Sequence, residues 1–412
     1  MPDNEHDIST RVVHLGELRE QPHGQPVSTP IYTSVSYVYD SMEEMDKVFG
    51  GEMPGYVYSR HGSPTVAALE YALQELEGGA AACAYASGMA AIHAALLACE
   101  LAAGSRVLAS QDLYGATSSL LIKVFGPLGI ESSFVDFSDL DQLRAKAREV
   151  KPQVMIAETI SNPLLKLCDI DRCAEIAREV RAKLIIDNTF ATPYLCLPLA
   201  HGADFAVHSA TKYLGGHANV TGGVVVARDA AANAALVSVM KLVGGILGPW
   251  QAHEILNGVK TLALRMERQS TNASTIATRL GQDKRIATLY HPTRSGTPQE
   301  LRERILRSPH GGALVSVEIA PNTREAAFAF MNAVRVCVRA PSLGDVFTGV
   351  LHPATASHRD MAPAQRQKLG ITDGLVRISV GIEDVEDIWA DIDQALAAAQ
   401  KVGKKTANLA TS

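Results

Sequence analysis

Ser209, Thr211 and Lys212 stand together in AVHSATK (206–212), two hydroxyls and an amine directly behind a short apolar run. A second apolar run ends in Asp187 and Asn188, and a third, VMIAETISNP (154–163), carries Glu158 and Asn162. Upstream, ASGMAA sets Gly88 and Met89 behind Ser87, whose hydroxyl suits the N-cap of a helix. The first N–H groups of a helix have no internal acceptor and lie at the positive end of its dipole, so they favour an anion. Each feature has an ordinary structural reading. A lysine behind a strand is usually a solvated charge, an Asp at a strand end usually closes a turn, and SGM is a common helix start. Their value lies in the combination: an anion site, hydroxyls, a carboxylate and an amine, all beside short apolar runs.

That combination matches a molecule with a phosphate at one end, a basic ring nitrogen at the other and an aldehyde between, as in pyridoxal 5′-phosphate. Lys212 would condense with the aldehyde. Asp187 would hold the ring nitrogen protonated, so that the ring accepts the electrons left when a Cα proton departs. The segment Ser87, Gly88 and Met89, with Ser209 and Thr211, would take the phosphate. Lys212 must also work as a base. A free lysine has a pKa of about 10.4, and each unit of depression corresponds to about 1.4 kcal/mol. Burial beside the cofactor's charges would supply that depression.

Groups at strand ends need strands that end together. Apolar runs at 105–110, 132–137, 153–158, 182–188, 204–209 and 222–227 alternate with helical patterns such as CAEIAREVRA (173–182). Continuous apolar strands between helices imply an α/β fold with a mostly parallel sheet covered on both faces. In such sheets ligands bind outside the carboxyl ends of the strands. Two helices, PTVAALEYALQELEG and SGMAAIHAALLACELAAG, precede the first of these runs. A long helical pattern covers 252–280. Beyond it the pattern changes to shorter segments at 312–320, 326–334, 335–338 and 375–380, followed by a last helix from about 384, which together read as an α+β unit. We expect an extended N-terminal arm (1–60), a large cofactor-binding domain (61–255) and a smaller C-terminal α+β domain (256–412).

The chain has 412 residues, 47% of them hydrophobic, and a formal net charge of −6. Without a basic block, a nucleic-acid surface is not expected. Without a membrane-length apolar run or a signal peptide, the expected compartment is the cytoplasm, with no membrane partner. The six cysteines form no CxxC pair and sit mostly in apolar stretches, which reads as buried reduced thiols and no metal site.

At these residues the chain resembles the Cys/Met-metabolism PLP enzymes, the trans-sulfuration or cystathionine γ-synthase family. YVYSRHGSPTVAALE, SGMAAI, DLYGAT, ETISNP, DNTFATP, HSATKYLGGH, SLGD and DGLVRISVGIED follow in family order, from about residue 8 to 400. The resemblance implies fold type I of the PLP-dependent transferases. It implies that Lys212 carries the cofactor and shuttles protons, that Asp187 pairs with the ring nitrogen, and that Tyr114 stacks on the ring. Gly88, Met89, Ser209 and Thr211 would bind the phosphate, with Tyr58 and Arg60 reaching it from a neighbouring subunit. Arg377 would clamp the substrate carboxylate, helped by Ser342 and Asn162. The family's usual assembly is a homotetramer, a dimer of dimers with active sites shared across a dimer interface.

The resemblance leaves the reaction open, because γ-lyases, β-lyases and γ-replacing enzymes share one scaffold. Three positions depart from familiar patterns: Ser63 where Asn is usual, Ala116 where methionine γ-lyases carry Cys, and Pro341 where cystathionine-handling members often carry Glu. SLGDV and GITDGLVRISVGIEDVEDI look most like methionine γ-lyases and O-acetylhomoserine sulfhydrylases. The leading expectation is a γ-type C–S lyase acting on methionine-like or cystathionine-like amino acids. The alternative is a γ-replacing synthase that joins an acylated homoserine to a thiol. A cofactor-binding protein without turnover is a third reading, and the intact set Tyr114, Asp187, Lys212 and Arg377 speaks against it.

Overall fold

Five-residue apolar runs become the strands of a seven-stranded sheet. The computed structural model describes residues 6–15, 26–294 and 296–410, with side chains through residue 402. The parts of the expected arm at 1–5 and 16–25 lie outside the described residues. The strands are β1 (Ala81–Tyr85), β2 (Arg106–Ser110), β3 (Glu131–Val135), β4 (Val154–Glu158), β5 (Lys183–Asp187), β6 (Phe205–Ser209) and β7 (Gly223–Ala227), in the order β1-β7-β6-β5-β4-β2-β3. Only β7 runs against its neighbours.

The pleat sends alternate side chains into two different cores. Leu184, Ile186 and Ala206 pack on one face with Leu69, Leu73 and Leu76 of the helix Pro64–Glu77. Ile185, Phe205 and Val207 pack on the other with Ala91, Ile92 and Ala95 of the helix Gly88–Leu97. This parity matters for function. Asp187 continues the face of Ile185, and Ser209 that of Val207, so both look toward the helix Gly88–Leu97. Asn188 and His208 fall on the opposite face.

A second sheet contains β8 (Ile286–Tyr290), β9 (Leu314–Ile319), β10 (Val338–Arg339), β11 (Gly349–Leu351) and β12 (Leu375–Ser379), in the order β10-β11-β12-β9-β8. Val376 and Ile378 pack with the helices Leu262–Leu280 and Val385–Ala410 through Ala273, Ile276, Ile388 and Ile392. Arg377 therefore takes the opposite face, away from those helices. Leu262 and Met266 belong to the core of the large sheet, whereas Ala273 and Ile276 belong to that of the small one. The helix Leu262–Leu280 thus passes from one unit to the other.

Several elements differ from the sequence-based expectation. The run AACAY forms β1, although small residues carry a weak strand signal; its pairing with β7 supplies what propensity does not. The short strands β8 and β11 also went unmarked, and only the last residue of RVCV joins a strand, β10. The helical pattern at 252–280 is two helices, Pro249–Lys260 and Leu262–Leu280, divided at Thr261. Within the arm, the helix Ile8–His14 buries Ile8 and Val12 in the large core, and Ser41 caps the helix Met42–Gly50 by accepting the Glu44 N–H at 3.1 Å.

Candidate active site

At the carboxyl ends of β4, β5 and β6 a cavity of about 430 Å³ opens between the two sheets. One end is built from backbone. Ser87 Oγ accepts the Ala90 N–H at 3.1 Å and starts the helix Gly88–Leu97, so the N–H groups of Gly88 and Met89 have no acceptor within the helix. A side chain at position 88 would place its Cβ 2.7 Å from that of Ser209, which only glycine avoids. Ser209 and Thr211 line the same end; Thr211 Oγ1 accepts the Gly222 N–H at 3.1 Å. N–H groups, hydroxyls and a helix N-terminus form a phosphate-type site.

Asp187 lines the cavity where β5 stops. Its Oδ1 accepts from Thr189 N at 3.0 Å and Thr189 Oγ1 at 2.5 Å, while Oδ2 accepts no bond among the described residues. Burial pushes the Asp187 carboxyl above its ordinary range, opposed by the two Thr189 bonds and by His208. A protonated ring nitrogen at Oδ2 would supply the opposite charge that burial withholds.

Lys212 follows β6, and its Nζ lies 3.3 Å from Ser342 Oγ with no carboxylate at ion-pair distance among the described residues. Burial lowers its pKa, helped by the positive charge of Arg377. Ser342 reaches this position because Gly344, at φ +81°, lets its turn press on the backbone of Tyr213; an added Cβ would lie 2.7 Å from Tyr213 N.

Arg377 comes from β12 and is 3% exposed. Nη1 donates to Asn162 Oδ1 at 2.9 Å and Nη2 to the Ser342 carbonyl at 3.2 Å, while Nε finds no partner among the described residues. Burial brings its pKa down to about 10. A buried guanidinium held only by neutral acceptors is a strong site for a carboxylate. Tyr114 stands between these ends. It precedes the helix Gly115–Leu120, its N–H donates to Glu158 Oε1 at 2.6 Å, and the side chain remains part-exposed on the cavity.

The structure thus gathers Ser87, Gly88, Met89, Tyr114, Asn162, Asp187, Ser209, Thr211, Lys212, Ser342 and Arg377 around one cavity. It does not bring Tyr58 and Arg60 there. Arg60 Nη1 donates to the Lys241 carbonyl at 2.5 Å, with its guanidinium 5.7 Å from the centre of the Tyr58 ring. Sequence reasoning noted Glu158 without assigning it. Its carboxyl accepts from both Tyr114 N and Asn162 N, tying two cavity walls to the end of β4. Burial, then the nearby Asp187, pushes its pKa well up. The segment LHPATASHRD (351–360) adds a further wall: Leu351, Ala356 and Ser357 line the cavity, and the Ser357 carbonyl approaches Gly115 so closely that a Cβ there would lie 2.6 Å away. Behind it, His358 is buried and its pKa is drawn to about 4 by desolvation and by Arg377 and Arg366.

A larger cleft, about 1090 Å³, lies at Asp169, Asp171 and Arg304, where Arg304 is already paired with Asp169 at 2.8 Å and His201 is hydrogen-bonded to Asp171 at 2.9 Å. The chemistry belongs to the smaller cavity. An anion cradle, an open Asp187 Oδ2 and an unpaired buried amine are the donor set that pyridoxal phosphate requires, so the residues present fit that group.

Comparison with known proteins agrees. The sequence profile described as "Cys/Met metabolism PLP-dependent enzyme" matches residues 9–397. Cystathionine gamma-lyase of Bacillus subtilis is 41% identical over 387 residues, covering 94% of this chain and 98% of that protein. L-methionine gamma-lyase of Fusobacterium nucleatum subsp. polymorphum is 37% identical over 399 residues, covering 96% and 99%. The crystal structure of cystathionine gamma synthase from Xanthomonas oryzae pv. oryzae, in complex with aminoacrylate and cysteine, superposes with a TM-score of 0.90 at 34% identity, covering 97% and 100%.

Proposed function

Because the chain belongs to the Cys/Met metabolism PLP-dependent enzyme family, we propose that it performs γ-elimination on a sulfur amino acid such as methionine or cystathionine, giving 2-oxobutanoate, ammonia and a thiol. Pyridoxal phosphate, when bound, supplies an aldehyde that takes up amines and a protonated ring that draws off the electron pair left at Cα. The observation that carries the reading is the meeting of Lys212, Asp187 and Arg377 in one cavity, neither the first nor the last in an ion pair among the described residues.

Each residue then has a task. Arg377, braced by Asn162 and Ser342, binds the substrate carboxylate and fixes which Cα bond lies near Lys212. Lys212, whose pKa burial lowers, would take the Cα proton, pass it on to the cofactor and, free again, take a Cβ proton, as loss of a γ group requires. Asp187 holds a proton at the ring nitrogen. Tyr114 covers the ring and handles protons near the leaving sulfur. Ile160, Pro341, Leu351 and Ala356 give the cavity an apolar side, which suits a thioether better than a distal ammonium.

The second reading, γ-replacement on an acylated homoserine, is supported by the likeness to the γ-synthase structure. Incubating the holoenzyme with L-methionine, L-cystathionine and L-homocysteine and scoring 2-oxobutanoate tests the first. Absence of keto acid from all three rejects it, and a replacement product from O-acetyl- or O-succinylhomoserine plus a thiol that outpaces keto acid favours the second.

The proposed assembly is a homotetramer in the cytoplasm, in which Tyr58 and Arg60 of one subunit serve the phosphate of its neighbour. Both residues lie outside their own chain's cavity, and apolar side chains stand exposed nearby and elsewhere, with Val38 95%, Leu242 83% and Leu264 71% accessible. Among the described residues no helix is long and apolar enough to cross a membrane.

A further inference from the structure

Glu77 is the last residue of the helix Pro64–Glu77, a place where a charged side chain ordinarily meets water. Here its side chain is wholly buried on the face of the large sheet opposite the cavity. Oε1 accepts from Asn188 Nδ2 at 2.9 Å and lies 2.6 Å from His208 Nε2. With that oxygen already accepting from the amide, the short second contact puts the histidine proton on Nε2. Asn188 Oδ1 in turn accepts from Thr159 Oγ1 at 2.7 Å. Glu77 Oε2 and His208 Nδ1 are buried without partners among the described residues.

Buried polar atoms of this kind are costly, and an apolar core would fill the same space more favourably. Their position offers a reason. Asn188 directly follows Asp187, and His208 directly precedes Ser209, so one carboxyl grips both strand ends from beneath while their neighbours present groups to the cavity above. A further bond closes the loop over the top: Thr189, which fixes Asp187 Oδ1, also accepts the Ser209 N–H at 2.8 Å.

We propose that Glu77 is a positioning residue for the cofactor: through His208 and Asn188 it sets the ends of β5 and β6, and with them the contacts of Asp187 and Ser209 to bound pyridoxal phosphate. The inference rests on the placement of the cofactor in this cavity and is independent of which sulfur compound reacts.

The test uses the holoenzyme and reads the cofactor itself. Glu77→Gln removes the carboxyl while keeping the size of the side chain. It should alter the visible absorbance band of the bound cofactor and speed cofactor release about tenfold, the scale of one lost hydrogen bond. Val66→Ala, in the same helix core but remote from the network, should lower the melting temperature and leave band and release unchanged. The proposal is overturned if Glu77→Gln matches the parent in both readouts, or if Val66→Ala moves them equally. Should Glu77→Gln not fold, His208→Phe, which keeps a planar ring but removes the donor toward Glu77, must still release cofactor faster than the parent; parental release would overturn the proposal. Lys212→Ala separates the two levels: a visible band that survives it would overturn the cofactor placement, and the inference with it.

Discussion

Arg377 Nη1 and Asn162 Oδ1 meet at 2.9 Å although 215 positions separate them in the chain. The bond joins the central strand of the small sheet to the loop after β4 of the large one. A substrate carboxylate bound there, in the role proposed for Arg377, would be held by both units, and its affinity would report on their relative placement.

Replacing Arg377 with Lys keeps a charge but loses the planar fork. Charge-assisted hydrogen bonds contribute about 1.5–3 kcal/mol, so KM should rise by about 10- to 150-fold, with kcat falling less. Steady-state kinetics with the preferred amino acid checks this. An unchanged KM would remove the carboxylate role from Arg377.

Gly88→Ala would drive a methyl group into Ser209 at the phosphate end. Overpacking of this kind costs about 1–3 kcal/mol, and part of it should appear as weaker cofactor binding. Titrating apoenzyme with pyridoxal phosphate should give a Kd about tenfold or more above the parent's, with the melting temperature of the apoprotein lowered only slightly.

Glu70 gives a pH signature unrelated to catalysis. Its Oε1 accepts the Ala84 N–H at 2.8 Å, and burial raises its pKa from 4.5 to about 7. The folded state thus holds a proton that the unfolded chain has lost between these values. The corresponding stability is complete below about pH 4.5 and is lost as pH rises through 7. Glu70→Gln keeps an acceptor for Ala84 and has no charge to bury. At pH 8 it should be more stable than the parent by up to about 3 kcal/mol, with the gain vanishing near pH 4.5. Denaturant melts at the two pH values measure the difference; equal gains at both would contradict the assignment.

Subunit sharing has a complementation signature. Arg60→Ala and Lys212→Ala proteins should each be nearly inactive. If each site draws Lys212 from one chain and Arg60 from the next, mixing them through a dissociated state should restore about a quarter of parental activity, the statistical share expected of a symmetric pair of sites. No recovery beyond the sum of the two would count against sharing.

How much of this could be read before the structure depended on the kind of signal. The strands bearing Asp187, Ser209 and Glu158 announce themselves as apolar runs between helices, and β1 does not because Ala and Cys carry no such mark. The neighbours of Lys212 are local in sequence, whereas Arg377, Ser342 and Asn162 reach it only through the packing of two sheets, and here the family resemblance supplied what spacing could not. Tyr58 and Arg60 are a warning in the same vein: within their own chain they stand outside the cavity. Glu77 had no signal, since a glutamate before a glycine at a helix end is an ordinary surface pattern. Its burial follows from how the helix meets β5 and β6, a property of the assembled fold.

The central claim is that Lys212 holds the cofactor covalently, primed by Asp187. Borohydride reduction of the coloured holoenzyme, followed by peptide mass analysis, tests it most directly. The account predicts one pyridoxyl phosphate mass fixed on the peptide containing Lys212 and loss of that label in Lys212→Ala. An unmodified Lys212 peptide with the label on another lysine would contradict it.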